Sequence, residues 1–309
     1  ITVSGVMNVS GVEGETPLRE LAAMGGTPSK ITRHFLINAG YQLNLSFLKL
    51  TGGKVATTND ANGALGGSIH LSGDKSLVNL QSVHILGASA FQAGAIFATD
   101  NGAALIVSSS TFESCTVGGY GGALYLNGGA VGTFIKTDFL NNKAGGVGGA
   151  MFVHNAGEAI FEDGKSIFKG NQAGTTGSEN GQPGHSIYKH GTTGGGGKLS
   201  FTVCKPGTFQ DATIVQGSAY NINEDFEGCR YACPAGKTTE SFPEYAERKG
   251  NDQATWCTAD CPAGSYCPGT AGTLPCAARE YSIAGATSCK SCGSRMYAIE
   301  PDLAWQTYK

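Results

Sequence analysis

Nine of the ten cysteines lie between Cys204 and Cys292, and only Cys115 stands outside that stretch. Thiols at this density have two common uses. They pair with one another in an oxidising compartment, or they hold zinc as thiolates. Cys289-Lys290-Ser291-Cys292 has the gap of a zinc knuckle, but a zinc ribbon needs two such knuckles. The next knuckle-like spacings, Cys229 to Cys233 and Cys257 to Cys261, each have three intervening residues. The surrounding stretch is rich in Pro and Gly and poor in apolar residues. Disulfides are therefore expected for Cys204, Cys229, Cys233, Cys257, Cys261, Cys267, Cys276, Cys289 and Cys292, with no metal. Cys115 reads as a small buried thiol.

Acid–base catalysis needs clustered carboxylates. Asp74, Asp100, Glu113, Asp138, Glu158, Glu162 and Asp163 are scattered, and the one local cluster, "FEDGK" (161–165), reads as a polar turn. Asp138 and Glu113 each sit beside an apolar Phe and read as solvated outer-face residues. His70, His84, His154, His185 and His190 show no metal-ligand spacing, and Asn221 to Asp225 resembles a calcium loop without its full spacing. "GGVGGA" lacks the strand–loop–helix context of a phosphate cradle. No catalytic residue, metal or cofactor is assigned. Asn8-Val9-Ser10 and Asn44-Leu45-Ser46 fit the N-glycosylation sequon, which agrees with secretion.

The elements that position these residues are written as a repeat. "GGSI" ends at Ile69, "AGAI" at Ile96, "GGAL" at Leu124 and "GGAM" at Met151, in steps of 27, 28 and 27. A further copy, "HSIY", places Ile187 36 residues on, and the surplus matches a polar insert near "GTTGSENGQPG" (174–184). A second phrase runs in phase through Ile85, Phe112, Phe139 and Phe168, with Ala88, Cys115, Asn142 and Asn171 three residues after each. Helical repeats need two long amphipathic segments per unit. Here the apolar stretches are short, β-branched or aromatic, and bounded by Gly or Asn, which suits strands. Glycine at 48 of 309 residues would also weaken helices, by about 1 kcal/mol per interior position. The prediction is all-β: a parallel β-helix (solenoid) over 1–203, followed by a small disulfide-rich module over 204–309. Asn142 and Asn171 would stack as a polar ladder with Cys115 in the same position.

The phrases "GGAL", "GGAM", "FLNN" (139–142) and "FKGN" (168–171) resemble the repeats of chlamydial polymorphic outer-membrane proteins. That resemblance covers about residues 40–203 and implies a right-handed β-helix acting in adhesion. From Cys204 on, "CKPGTF", "CPAGKT", "CPAGSYCPGTAGTLPC" and "CAAREYSIAGATSCKSC" resemble ephrin-receptor-like cysteine-rich repeats. The combination is similar to large extracellular proteins of algae and protists. If each Cys-Pro-x-Gly unit closes onto the next cysteine, the pairs are Cys204–Cys229, Cys233–Cys257, Cys261–Cys267 and Cys276–Cys289, with Cys292 left over. This is one choice among many connectivities.

With a net charge of −3 and 15% charged residues, a nucleic-acid surface is not expected. No apolar run is long enough for a membrane span, and no signal peptide is visible. The opening "ITVSG" already reads as strand, so the chain is expected to be a piece of a longer one. Strand alternation turns Ile96, Leu124, Met151 and Ile187 inward, so His70, Phe97, Tyr125, Phe152 and Tyr188 should form an outward ladder that contacts a partner protein or a glycan, or else stacks on itself or is covered by a loop of the same chain. The N-terminal end has no evident cap beyond "VEGETPLRELAAMGG" (12–26), which has the spacing of a short amphipathic helix. The functional expectation is a secreted, cell-surface structural or adhesive protein, not an enzyme. It would be one segment of an extracellular assembly such as a surface fibre, flagellar hair or wall layer, with other protein subunits as partners. The alternative is a carbohydrate-binding or polysaccharide-cleaving β-helix protein.

Overall fold

A computed structural model describes residues 1–14, 18–22, 33–55, 64–162, 166–174, 184–190, 196–201, 208–209, 220–222, 226–227, 231–238, 257–270 and 272–292. Among them the chain is all-β, without a helix, and its strands run mostly parallel in curled sheets. Contacts divide the chain into two units, Ile1–Phe201 with Ile214–Glu227, and Thr202–Thr213 with Gly228–Lys309. The first unit thus takes back a segment beyond residue 203.

In the first unit the repeat is the register. Ile69, Ile96, Leu124, Met151 and Ile187 lie side by side across one sheet, and Ile85, Phe112, Phe139 and Phe168 across a second. The step of 36 to Ile187 leaves the pairing with Met151 intact. A third, four-stranded sheet joins Ser89–Ala90, Thr116–Val117, Lys143–Ala144 and Gln172–Ala173. Parallel neighbours put like residues over like, so rings stack in columns. Phe112, Phe139 and Phe168 are stacked 5.1 and 4.5 Å apart with nearly parallel planes, and Phe134, Phe161 and Phe201 are 5.1 and 5.0 Å apart. Gly132 makes room within this packing: a Cβ there would lie 2.8 Å from the Phe134 ring.

The glycine pairs have distinct jobs. Gly121 holds φ +68°, a conformation that costs most L residues about 1 kcal/mol or more. A Cβ on Gly122 would collide with the carbonyl of Gly149 in the next repeat. Behind the turn, Asn142 and Asn171 form the expected ladder. Asn142 Oδ1 accepts from Cys115 N (3.0 Å), its Nδ2 donates to Phe112 O (3.0 Å), and Asn171 Oδ1 accepts from Asn142 N (3.0 Å). Cys115 is fully buried, and burial pushes its thiol pKa up to about 12, which makes it inert.

The two edges of this unit differ. One is formed by Thr2–Val3, Val6–Ser10 and Arg19–Ala22, each paired on one side among the described residues. Arg19–Ala22 corrects the helix expected there: the backbone of Leu48 to Thr51 offers ladder partners that a helix would forgo, and tertiary pairing overrides local spacing. The rest of 12–26 lies partly outside the described residues. The other edge is covered in part by antiparallel strands, Tyr220–Ile222 on Ile187–Lys189 and Phe226–Glu227 on Ile167–Lys169, while Lys198–Phe201 and Gln172–Ala173 end their own sheets. Asn221 and Ile222 therefore belong to a strand, and Asn223 to Asp225 lie outside the described residues.

The second unit consists of two-stranded antiparallel ribbons, such as Lys237–Thr238 with Ala259–Asp260 and Ser265–Tyr266 with Leu274–Pro275. Ribbons this short bury too little to hold themselves, and disulfides join them. The bonds are Cys233–Cys257, Cys261–Cys267 and Cys276–Cys289, three of the four pairs expected, and Cys292 is free. Cys204 and Cys229 lie outside the described residues. The Cys-Pro-Ala-Gly units are tight turns: Lys237 N donates to Pro234 O (3.0 Å) around Gly236 at φ +80°, and Ser265 N to Pro262 O (3.1 Å) around Gly264 at φ +81°. The disulfides fit an oxidising, extracellular-type environment, and no helix among the described residues is long and apolar enough to cross a membrane.

Candidate functional site

Strands Ile69–Ser72, Ile96–Thr99, Leu124–Leu126, Met151–Val153 and Ile187–Lys189 carry the residues of the expected outer ladder. The alternation holds, because Ile96, Leu124, Met151 and Ile187 are fully buried on one face. On the opposite face His70, Phe97, Tyr125, Phe152 and Tyr188 form a continuous row, with ring centroids 5.4, 5.1, 4.6 and 5.7 Å apart in order.

The row is not an open contact surface, and that part of the expectation is corrected. Phe97, Tyr125, Phe152 and Tyr188 are at most 6% exposed. They form a second core with Ala93 and Val147, and Leu65 and Tyr120 pack against it. The physical reason lies in the turns. The residue before each Gly pair, Leu65, Tyr120 or Val147, is swung back over the sheet by the positive φ that follows it. The Tyr120 ring thereby lies 5.3 Å from that of Phe152. His70, at the end of the row, keeps partial exposure. Burial, and then the nearby Arg33 charge, lower its pKa to about 4.

Two positions along the same strands lies a polar row: Thr99, Asn127, His154 and His190 in register. Asn127 Nδ2 donates to Thr99 Oγ1 (3.4 Å), and Asn127 Oδ1 lies 3.3 Å from His154 Nδ1. Tyr125 Oη is 3.2 Å from the same nitrogen, and the rings of His154 and His190 are 4.6 Å apart. Burial, then the neighbouring His190, lower the His154 pKa. Sequence reasoning missed this pair. The signal was the phase, since each histidine stands three residues after a core aliphatic, Met151 or Ile187, but the insert places the two rings 36 residues apart.

The remaining candidates are dispersed. Glu113 pairs with His84 (2.9 Å), and Asp100 Oδ2 accepts from Gly73 N (2.9 Å). Glu158 is in register with Lys198. Of "FEDGK", residues 163–165 lie outside the described residues. His185 Nδ1 accepts from Ala173 N (2.9 Å). Among the described residues, no group of three or more His, Cys, Asp or Glu could hold a metal.

The sequons differ from each other. Asn44 is half-buried in mid-strand, its Nδ2 donating to Asn8 Oδ1 (2.6 Å) and its Oδ1 accepting from Asn79 Nδ2 (2.7 Å), so a glycan on it would have to displace an amide ladder. Asn8 is exposed at the sheet edge. Compared with family models, curated proteins and solved structures, the chain matches none.

Proposed function

We propose that the first unit is a right-handed parallel β-helix and that the chain is a secreted structural or adhesive segment of an extracellular assembly, with other protein subunits as its partners. The support for a single continuous coil is the order of pairing. From Ile96 to Ala173 each repeat contributes one strand to the eight-stranded sheet, two to the twelve-stranded sheet and one to the four-stranded sheet before the chain moves on by one register step. The disulfide-stapled unit suits the same extracellular setting.

The observation that carries the assembly reading is the difference between the two edges. One edge is partly covered by antiparallel strands from the same unit. The open edge presents the backbone of Val6–Ser10, and in and beside it Ile1, Val6 and Val12 are 63, 67 and 51% exposed. An exposed apolar strand edge is a template for pairing with another strand. Asn8, at the end of an amide ladder, sets the register of such an addition.

Multi-angle light scattering on the secreted chain tests this. Association that rises with concentration and is lost in Val6→Lys is the expected result. A monomer at every concentration, with no retention on its own extracellular matrix, rejects it.

A further inference from the structure

We infer that His154 and His190 form a two-imidazole binding site for a transition-metal dication of the Zn²⁺, Cu²⁺ or Ni²⁺ type. The site stands independently of the assembly reading. The register of Met151–Val153 with Ile187–Lys189 fixes both histidines at the ends of adjacent strands. Their ring centroids are 4.6 Å apart at 64°. Two imidazoles sharing a tetrahedral ion at a metal–nitrogen distance of about 2.0–2.1 Å have centroids about 5 Å apart, close to the separation observed.

The surroundings prepare His154 for coordination. The Asn127 amide nitrogen donates to Thr99 Oγ1, which turns Asn127 Oδ1 toward the imidazole. In the tautomer in which Nδ1–H donates to that oxygen, with Tyr125 Oη also 3.2 Å from Nδ1, the Nε2 lone pair is left for a metal. A ring nitrogen tied to an oxygen acceptor is the usual companion of a metal-bound imidazole. Phe152 stacks on His154 at 5.4 Å and holds the ring plane. Imidazole pairs select Zn²⁺, Cu²⁺ and Ni²⁺ over the oxygen-seeking Ca²⁺ and Mg²⁺. Two protein ligands leave the other coordination positions to water or to a donor from another molecule.

The test uses the intact chain with the free Cys292 thiol alkylated. Zn²⁺ is titrated calorimetrically, and the Cu²⁺ electron paramagnetic resonance spectrum is recorded at one equivalent. One equivalent of Zn²⁺ and nitrogen splitting from two imidazoles are expected. His154→Gln and His190→Gln should each weaken Zn²⁺ at least about tenfold, Asn127→Ala should weaken it less, and His84→Gln should leave it unchanged. No binding, splitting from fewer than two nitrogens, or binding that persists in His154→Gln or His190→Gln overturns the site. The spectrum is recorded on the unaltered chain, so the result does not depend on a variant folding.

Discussion

Asn142 shows how much one side chain can carry inside a stacked repeat. It is fully buried, and its amide satisfies Cys115 N and Phe112 O while its own backbone N–H is met by Asn171. Asn142→Ala strands a buried donor and a buried acceptor, each costing about 1–3 kcal/mol. A loss on the order of 3 kcal/mol is expected in chemical denaturation, with the midpoint shifted and the slope unchanged. His70 governs a different property. Its folded pKa, about 4, lies below its ordinary 6.5, so the unfolded chain takes the proton first. Its contribution is therefore full above about pH 6.5 and falls away as the pH drops toward 4, by on the order of 3 kcal/mol in total. The melting temperature followed between pH 7 and 4 should drop more steeply in the natural chain than in His70→Phe, and equal slopes would assign the loss to other groups.

At the level of strands, the 36-residue step holds a simple prediction. Deleting residues 175–183 removes nine residues and turns that step into the 27 of its neighbours, and the pairing of Met151 with Ile187 already ignores the surplus. Backbone circular dichroism and a melting temperature within a few degrees of the parent are expected, and loss of the fold would mean that the insert supports the strands. Register was legible in the sequence because a parallel stack places like over like, so Phe112, Phe139 and Phe168 had to recur in phase. The cover over Phe97, Tyr125 and Phe152 was not, although a trace of it was present. "LYL" and "MFV" are apolar without alternation, which marks strands buried on both faces. The spacing of Leu65, Tyr120 and Val147 ahead of each Gly pair had no meaning until the turns were seen to fold back. The strands at 220–222 and 226–227 were hidden for another reason. They pair antiparallel and outside the repeat, so no periodicity announces them. His154 and His190 are separated along the chain by the same insert that the register absorbs.

Across the whole chain, stability comes from two unlike sources. The first unit rests on stacked apolar columns and amide ladders. The observed disulfides all lie in the second, between Cys233 and Cys289. Dithiothreitol should therefore expose the second unit to protease while Ile1–Phe201 stays protected, and parallel loss of both would show that the units fold as one. In polymer terms, a monomer with two equal reactive ends grows in both directions, whereas one with a partly blocked end grows mainly from the other. Tyr220–Ile222 and Phe226–Glu227 already occupy part of one end of the first unit, where Lys198–Phe201 and Gln172–Ala173 still end their own sheets. In the proposed assembly this would make the chain a polar unit, with strand addition at the Thr2–Val3 and Val6–Ser10 edge faster than at the opposite one.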